Sequence, residues 1–222
     1  MKRGMGMAGS ASKISDQIYS TIKRRIVTIE YKPGTILSES ELSAEFKASR
    51  TPVREIFQRL ELEKLVTILS RVGAQVAPID YRYYKSLMEV KRGLDVMIVR
   101  LAVRRMTQES LDELDRLVQT LKEQARNKLY NELIPCDMLF HQIIIEQANN
   151  EVLSGIYDNV MTHTERFWHY SMTNLTYSDE YITTYADLLG ALRNKDEAQA
   201  EKYATGHVDL YINALKNDLF DM

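Results

Sequence analysis

The segment SRTPVRE at residues 49–55 places Arg50 and Arg54 four residues apart, so on a helix both guanidinium groups leave the same side. That side is opposite Val53 and Phe57, and the two arginines point outward together. In a major groove an arginine donates two hydrogen bonds to the edge of guanine, worth about 1–3 kcal/mol of discrimination for a good pair. The hydroxyls of Ser49 and Thr51, with the free N–H groups of a helix start, suit phosphate oxygens. Arg71 and Gly73 fall in a tight turn further on, where a wing approaches the minor groove. Lys23, Arg24 and Arg25 add attraction that salt weakens.

A second constellation lies in the other half of the chain. Asp137, His141, Ile144 and Ala148 recur at spacings of 4, 3 and 4, so an acid and an imidazole share the inward stripe of one helix. Ala200, Tyr203, His207 and Leu210 repeat the pattern and turn His207 inward. His163 lies on the stripe Ile156, Val160, His163, Phe167, and Tyr185 on Tyr181, Tyr185, Leu188, Leu192. An inward carboxylate with two or three imidazoles is a sound oxygen and nitrogen donor set for zinc, nickel or manganese. The alternative is a set of core histidines satisfied by neighbours; against it stands the cost of burying Asp137 without a partner.

The elements that position these residues are legible in the apolar periodicity. Ile14, Ile18, Ile22, Ile26 and Ile29 mark one buried face of a first helix, which KPGT at 32–35 breaks. Ser38 caps a second helix, with Glu41 completing a capping box. After KAS a third helix begins, with Ser49 or Thr51 at its cap, Pro52 in its first turn, and Val53, Ile56, Phe57 and Leu60 as its core stripe. LVTIL and GAQVAPI, separated by SRVG, read as a β-hairpin. Three helices and a hairpin are the order of a winged helix-turn-helix. Pro78 and Asp80 mark a boundary, beyond which helices are expected near 81–106, 108–127, 130–148, 151–172, 178–193 and 196–219, an all-α antiparallel helical bundle. The fold class is mainly α: a tail over 1–12 expected to be disordered, a reading head over 13–79 and a bundle over 80–222.

Charge divides at the same boundary. Residues 13–79 carry eleven Lys/Arg against eight Asp/Glu, a net of +3, while 80–222 carry sixteen against twenty-three, a net of −7. A basic head on an acidic body suits a module that meets phosphate joined to one that does not. The single Cys136 excludes a disulfide framework or a multi-cysteine zinc ribbon. No run of about 18 apolar residues spans a bilayer, and MKRGMGMAGSAS lacks the apolar stretch of a signal peptide, so a cytoplasmic protein without membrane contact is expected.

GTILSESELSAEFKASRTPVREIFQRLELEKLVTI resembles the DNA-binding domain of the GntR family of bacterial regulators, with SRTPVRE its most specific segment. The resemblance implies that Arg50 and Arg54 read bases, assisted by Ser49, Thr51, Arg71 and Gly73. The sequence differs from the family at Ile29 and at Lys64, where glycine is usual. Residues 80–219 resemble the all-helical FCD effector domain of the FadR subfamily. By that resemblance a divalent metal would be held by Asp137 and His141 of DMLFH and by His207 of ATGHVDL. In TYADLLGAL, Tyr185 stands where the family has a further histidine. A three-residue site completed by water or effector, a rescue by His163, and no metal at all remain open. Lys91, on a stripe with Leu87, Leu94 and Ile98, stands where relatives carry an arginine that meets an acidic effector. Here it either holds a carboxylate as a point charge or extends to solvent.

These readings converge on a dimeric, effector-responsive repressor that binds a near-palindromic double-stranded operator and whose bundle takes up a small organic acid. An architectural DNA binder with a metal-free bundle is the second reading. A metallohydrolase centred on Asp137, His141 and His207 is the third, and it lacks an accompanying base or nucleophile.

Overall fold

The isoleucine stripe forms the first helix, α1 (Met5–Val27), with Ile18, Ile22 and Ile26 buried. The computed structural model describes residues 5–171 and 179–220, in two units, Met1–Asp80 and Tyr81–Met222. Helix α1 starts nine residues ahead of Ile14 and takes in most of the segment 1–12 expected as a disordered tail. Ile14 itself is 49% exposed, so the buried stripe begins at Ile18.

Ser38 caps α2 (Glu39–Glu45) by accepting a hydrogen bond from the Glu41 amide, as the capping box requires. Helix α3 (Arg50–Leu62) follows, with Val53, Ile56, Phe57 and Leu60 buried against Ile22, Ile26 and Leu42. The expected hairpin is β2 (Val66–Leu69) with β3 (Gly73–Val76). A third strand joins it: β1 (Ile36–Ser38) pairs antiparallel with β3, Leu37 opposite Ala74, giving the order β1-β3-β2. Three residues are too few for alternation to register in sequence; β1 exists because β3 offers it an unpaired edge.

Gly73 is required where these strands meet. Its φ is +138°, and a Cβ there would lie 2.1 Å from the Leu37 carbonyl oxygen. It is buried, so glycine has a structural reason to stand there. Glycine elsewhere is replaced in an unusual way. Helices α2, α3, α5 and α8 each end on a left-handed lysine, Lys47, Lys64, Lys128 and Lys195, at φ between 50° and 57°. At α3 the Leu65 amide reaches the Leu60 carbonyl while that of Lys64 reaches Glu61, the two bonds of a Schellman cap. Lysine carries strain there that glycine would not, and in return sets a cation against the carbonyl end of the helix dipole. Ile29, the other departure from the usual glycine, is also left-handed, at φ 61°.

The second unit is helical throughout its described residues: α4 (Tyr81–Arg105), α5 (Gln108–Arg126), α6 (Tyr130–Ala148), α7 (Glu151–Ser171), α8 (Asp179–Arg193) and α9 (Glu197–Phe220). The expected break at TNLTYS lies outside the described residues. Helix α4 packs on α6, α7, α8 and α9. Arg92 pairs with Asp209, Arg100 with Glu201 and Arg104 with Glu197, a descending series that fixes α4 and α9 as antiparallel. No helix among the described residues is long and apolar enough to cross a membrane. Inside the apolar packing of α4, α6, α7, α8 and α9 lie Lys91, Asp95, Asp137, His163 and His207, each at most 7% exposed.

Two substitutions in the head should move stability in opposite directions. Lys64→Gly should raise it by about 0.5–1 kcal/mol, because the left-handed penalty removed exceeds the added freedom of the unfolded chain. Gly73→Ala should lower it by about 2 kcal/mol or more through steric and backbone strain. Urea denaturation midpoints of the full chain measure both.

Candidate functional site

On the head, α3 carries Arg50, Thr51 and Arg54 on an exposed surface, with Ser49 exposed at its N-cap. The Ser49 side chain makes no capping bond, so its hydroxyl is available to an incoming phosphate. Arg71 is exposed in the turn between β2 and β3 at φ 64°. The basic cluster on α1 is less free than its sequence implies. Lys23 pairs with Glu63 at 2.8 Å and Arg25 with Glu45 at 2.6 Å, and only Arg24 of the three is exposed.

In the bundle, Asp137 and His141 on α6 meet His207 on α9, their ligand atoms all within 4.8 Å of one another. Nε2 of His141 is 3.4 Å and Nε2 of His207 4.0 Å from Oδ1 of Asp137. Burial alone would push the Asp137 carboxyl upward, but His141, His207 and the Tyr185 hydrogen bond hold it below the usual carboxylate range. Tyr185 donates its phenol proton to Asp137 Oδ1. Burial and the Asp137 charge raise its pKa well above the ordinary value, which keeps the phenol proton on Tyr185 in the metal-free site.

A hydroxyl lies behind each histidine. The Thr184 hydroxyl is 2.6 Å from the Tyr181 carbonyl and 2.7 Å from His207 Nδ1, which leaves His207 Nε2 as the ring nitrogen on the Asp137 side. Tyr157 spends its proton on Asp95 Oδ1 at 2.6 Å and accepts from Lys91 at 3.1 Å. It also lies 3.3 Å from His141 Nδ1, and His141 turns its Nε2 toward Asp137. Burial lowers the His207 pKa to about 3, so the ring is neutral. His141 and His207 border a cavity of about 20 Å³ that Asp95, Tyr157, Thr184 and Tyr185 also help line.

Residues 86–210 match the FCD domain, and residues 14–76 match the bacterial regulatory proteins of the gntR family. The chain belongs to the gntR family, with an FCD domain. It is 25% identical over 195 residues to the HTH-type transcriptional repressor RspR of Escherichia coli (strain K12), covering 88% of this chain and 86% of that protein. It is 29% identical over 182 residues to the gluconate operon transcriptional repressor of Bacillus subtilis (strain 168), covering 80% and 74%. The E. coli McbR/YncC structure shares its fold, with a TM-score of 0.80 and 23% identity over 93% of this chain and 98% of that one.

This gntR-family protein is a DNA-binding transcription regulator, and neither its family nor its relatives are enzymes. Of its sequence-predicted ligands, Asp137, His141 and His207 come together and Tyr185 joins them through Asp137. His163 does not: it packs edge-on against Tyr83, outside both the cluster and the cavity lining. Lys91 is buried, paired with Asp95 on the next turn of α4 at 2.6 Å and donating to Tyr157 at 3.1 Å. Sequence reading missed Asp95, Tyr157 and Thr184. The i,i+4 spacing of Lys91 and Asp95 was the one available signal; the hydroxyls come from other helices and leave none.

The depressed His207 pKa has a consequence for metal-free protein. Its folded value near 3 lies below the ordinary histidine value of about 6.5, so between those pH values the unfolded chain binds more protons. Stability is therefore complete above about pH 6.5 and falls as the solution is acidified toward pH 3, and the lowered Asp137 pKa acts in the same direction. Denaturation midpoints measured from pH 8 to 4 should show this slope, and His207→Asn should flatten it.

Proposed function

We propose that this regulator is a cytoplasmic homodimeric repressor of the FadR subfamily that reads a near-palindromic operator through Arg50 and Arg54. In this reading a divalent metal sits on Asp137, His141 and His207, with a small organic acid completing its coordination. The observation that carries the effector site is the gathering of Asp137, His141 and His207, with ligand atoms within 4.8 Å of one another, beside a cavity that the two histidines line. Protein ligands of zinc lie about 2.0–2.2 Å from the ion. Spacings of 3.4 and 4.0 Å between Asp137 and the histidines therefore suit one shared cation with little contraction. Zinc, nickel and manganese all accept this donor set.

Tyr185 takes the place of a fourth protein ligand without acting as one. Coordination positions are thereby left for water or for the carboxylate of an effector. The cavity has room for an ion with a water, so an organic acid requires the lining helices to give. That requirement supplies the differential interaction through which an effector biases one conformation over another. The names of the repressor relatives support the sign of regulation.

Elemental analysis of protein purified without chelator should find about one divalent metal per chain, lost in Asp137→Ala and His207→Ala. Thr184→Val and Tyr157→Phe should weaken metal binding by about 10–100-fold through the supporting hydrogen bonds. Equal metal content in all variants would remove the proposed centre.

Selection of duplexes from a random pool tests the head separately. Arg50→Ala and Arg54→Ala should each abolish part of the enriched sequence while circular dichroism stays unchanged. An unaltered sequence preference would overturn the assignment of the base readers.

A further inference from the structure

The two outward arginines of α3 are not equivalent. Arg54 is tied to Glu39, whose two carboxylate oxygens both accept from its Nε–H at 2.8 Å, across from the first turn of α2. Among the described residues, Arg50 has no such carboxylate partner. The Arg54 side chain remains 64% exposed, whereas that of Glu39 is 23% exposed. Glu39 is itself anchored, since a carboxylate in the first turn of a helix is favoured by the local dipole and the unpaired amides there.

An ion pair this exposed contributes little to holding the fold. Its effect lies in geometry. Both bonds fall on Nε and leave Nη1 and Nη2 of this largely exposed side chain without a carboxylate partner among the described residues. That terminal pair is one of the edges with which an arginine spans O6 and N7 of guanine. A free arginine loses rotamer freedom when it docks, and an arginine held in advance loses less.

We propose that Glu39 is a positioning residue that sets the aim of Arg54 and thereby sharpens base discrimination at the position Arg54 reads. This rests on the reading of Arg54 as a base reader. It also makes Arg54 the stricter and Arg50 the more adaptable of the two.

The test is duplex enrichment from a random library with full-length wild type, Glu39→Gln, Glu39→Asp, Arg54→Ala and the Glu39→Gln/Arg54→Ala double variant. Arg54→Ala should erase one base preference per half-site. Glu39→Gln should weaken that same preference about three- to tenfold and leave the other positions unchanged. Glu39→Asp keeps the charge and the favourable helix start but withdraws the carboxylate, and it should produce the same loss. In the Arg54→Ala background, Glu39→Gln should have no further effect on the preference. Unchanged or sharpened discrimination in both Glu39 variants would overturn the positioning role while leaving Arg54 as a reader. An unchanged preference in Arg54→Ala would instead overturn the reading on which the role rests.

Discussion

A buried carboxylate must be given partners or it will take a proton, and the interior of the bundle is arranged around meeting that demand at Asp137. Tyr185 gives it one hydrogen bond. The two histidines stand beside it at 3.4 and 4.0 Å, each with a hydroxyl behind its Nδ1. Four helices meet there, with α6 supplying Asp137 and His141, α7 Tyr157, α8 Thr184 and Tyr185, and α9 His207.

The same network explains why two sequence-predicted residues changed roles. Lys91 needed a carboxylate once buried, and Asp95 supplies it within the same helix. Asp95 in turn accepts from Tyr157 and so sets the ring orientation of His141 through the phenol. A cation first read as a ligand contact therefore acts behind the site. Tyr185 shows the converse. The carboxylate neighbour keeps its proton in place, so that Tyr185 meets the cluster as a donor to Asp137.

In the head the governing constraint is backbone conformation. Gly73 must be glycine because the Leu37 carbonyl occupies the space a side chain would need. At Lys64 and Ile29 the left-handed turn is kept without glycine. The departures from the family pattern seen in the sequence thus fall on left-handed positions, and α3 lies between them.

The sequence by itself determined the order of elements, the exposed arginines of α3 and the inward placement of Asp137, His141 and His207, because these follow from local spacing along single helices. Helix boundaries in the bundle were legible for the same reason. Strand β1 was not, being too short to carry a pattern and held only by its partner β3. Tertiary structure alone decided which partners the inward polar groups found. Thr184 reaches His207 across 23 residues, Tyr157 reaches Asp95 across 62, and Glu39 reaches Arg54 across 15. Such contacts depend on which helix faces bring their side chains together, and periodicity within a helix says which side is buried without saying what lies opposite.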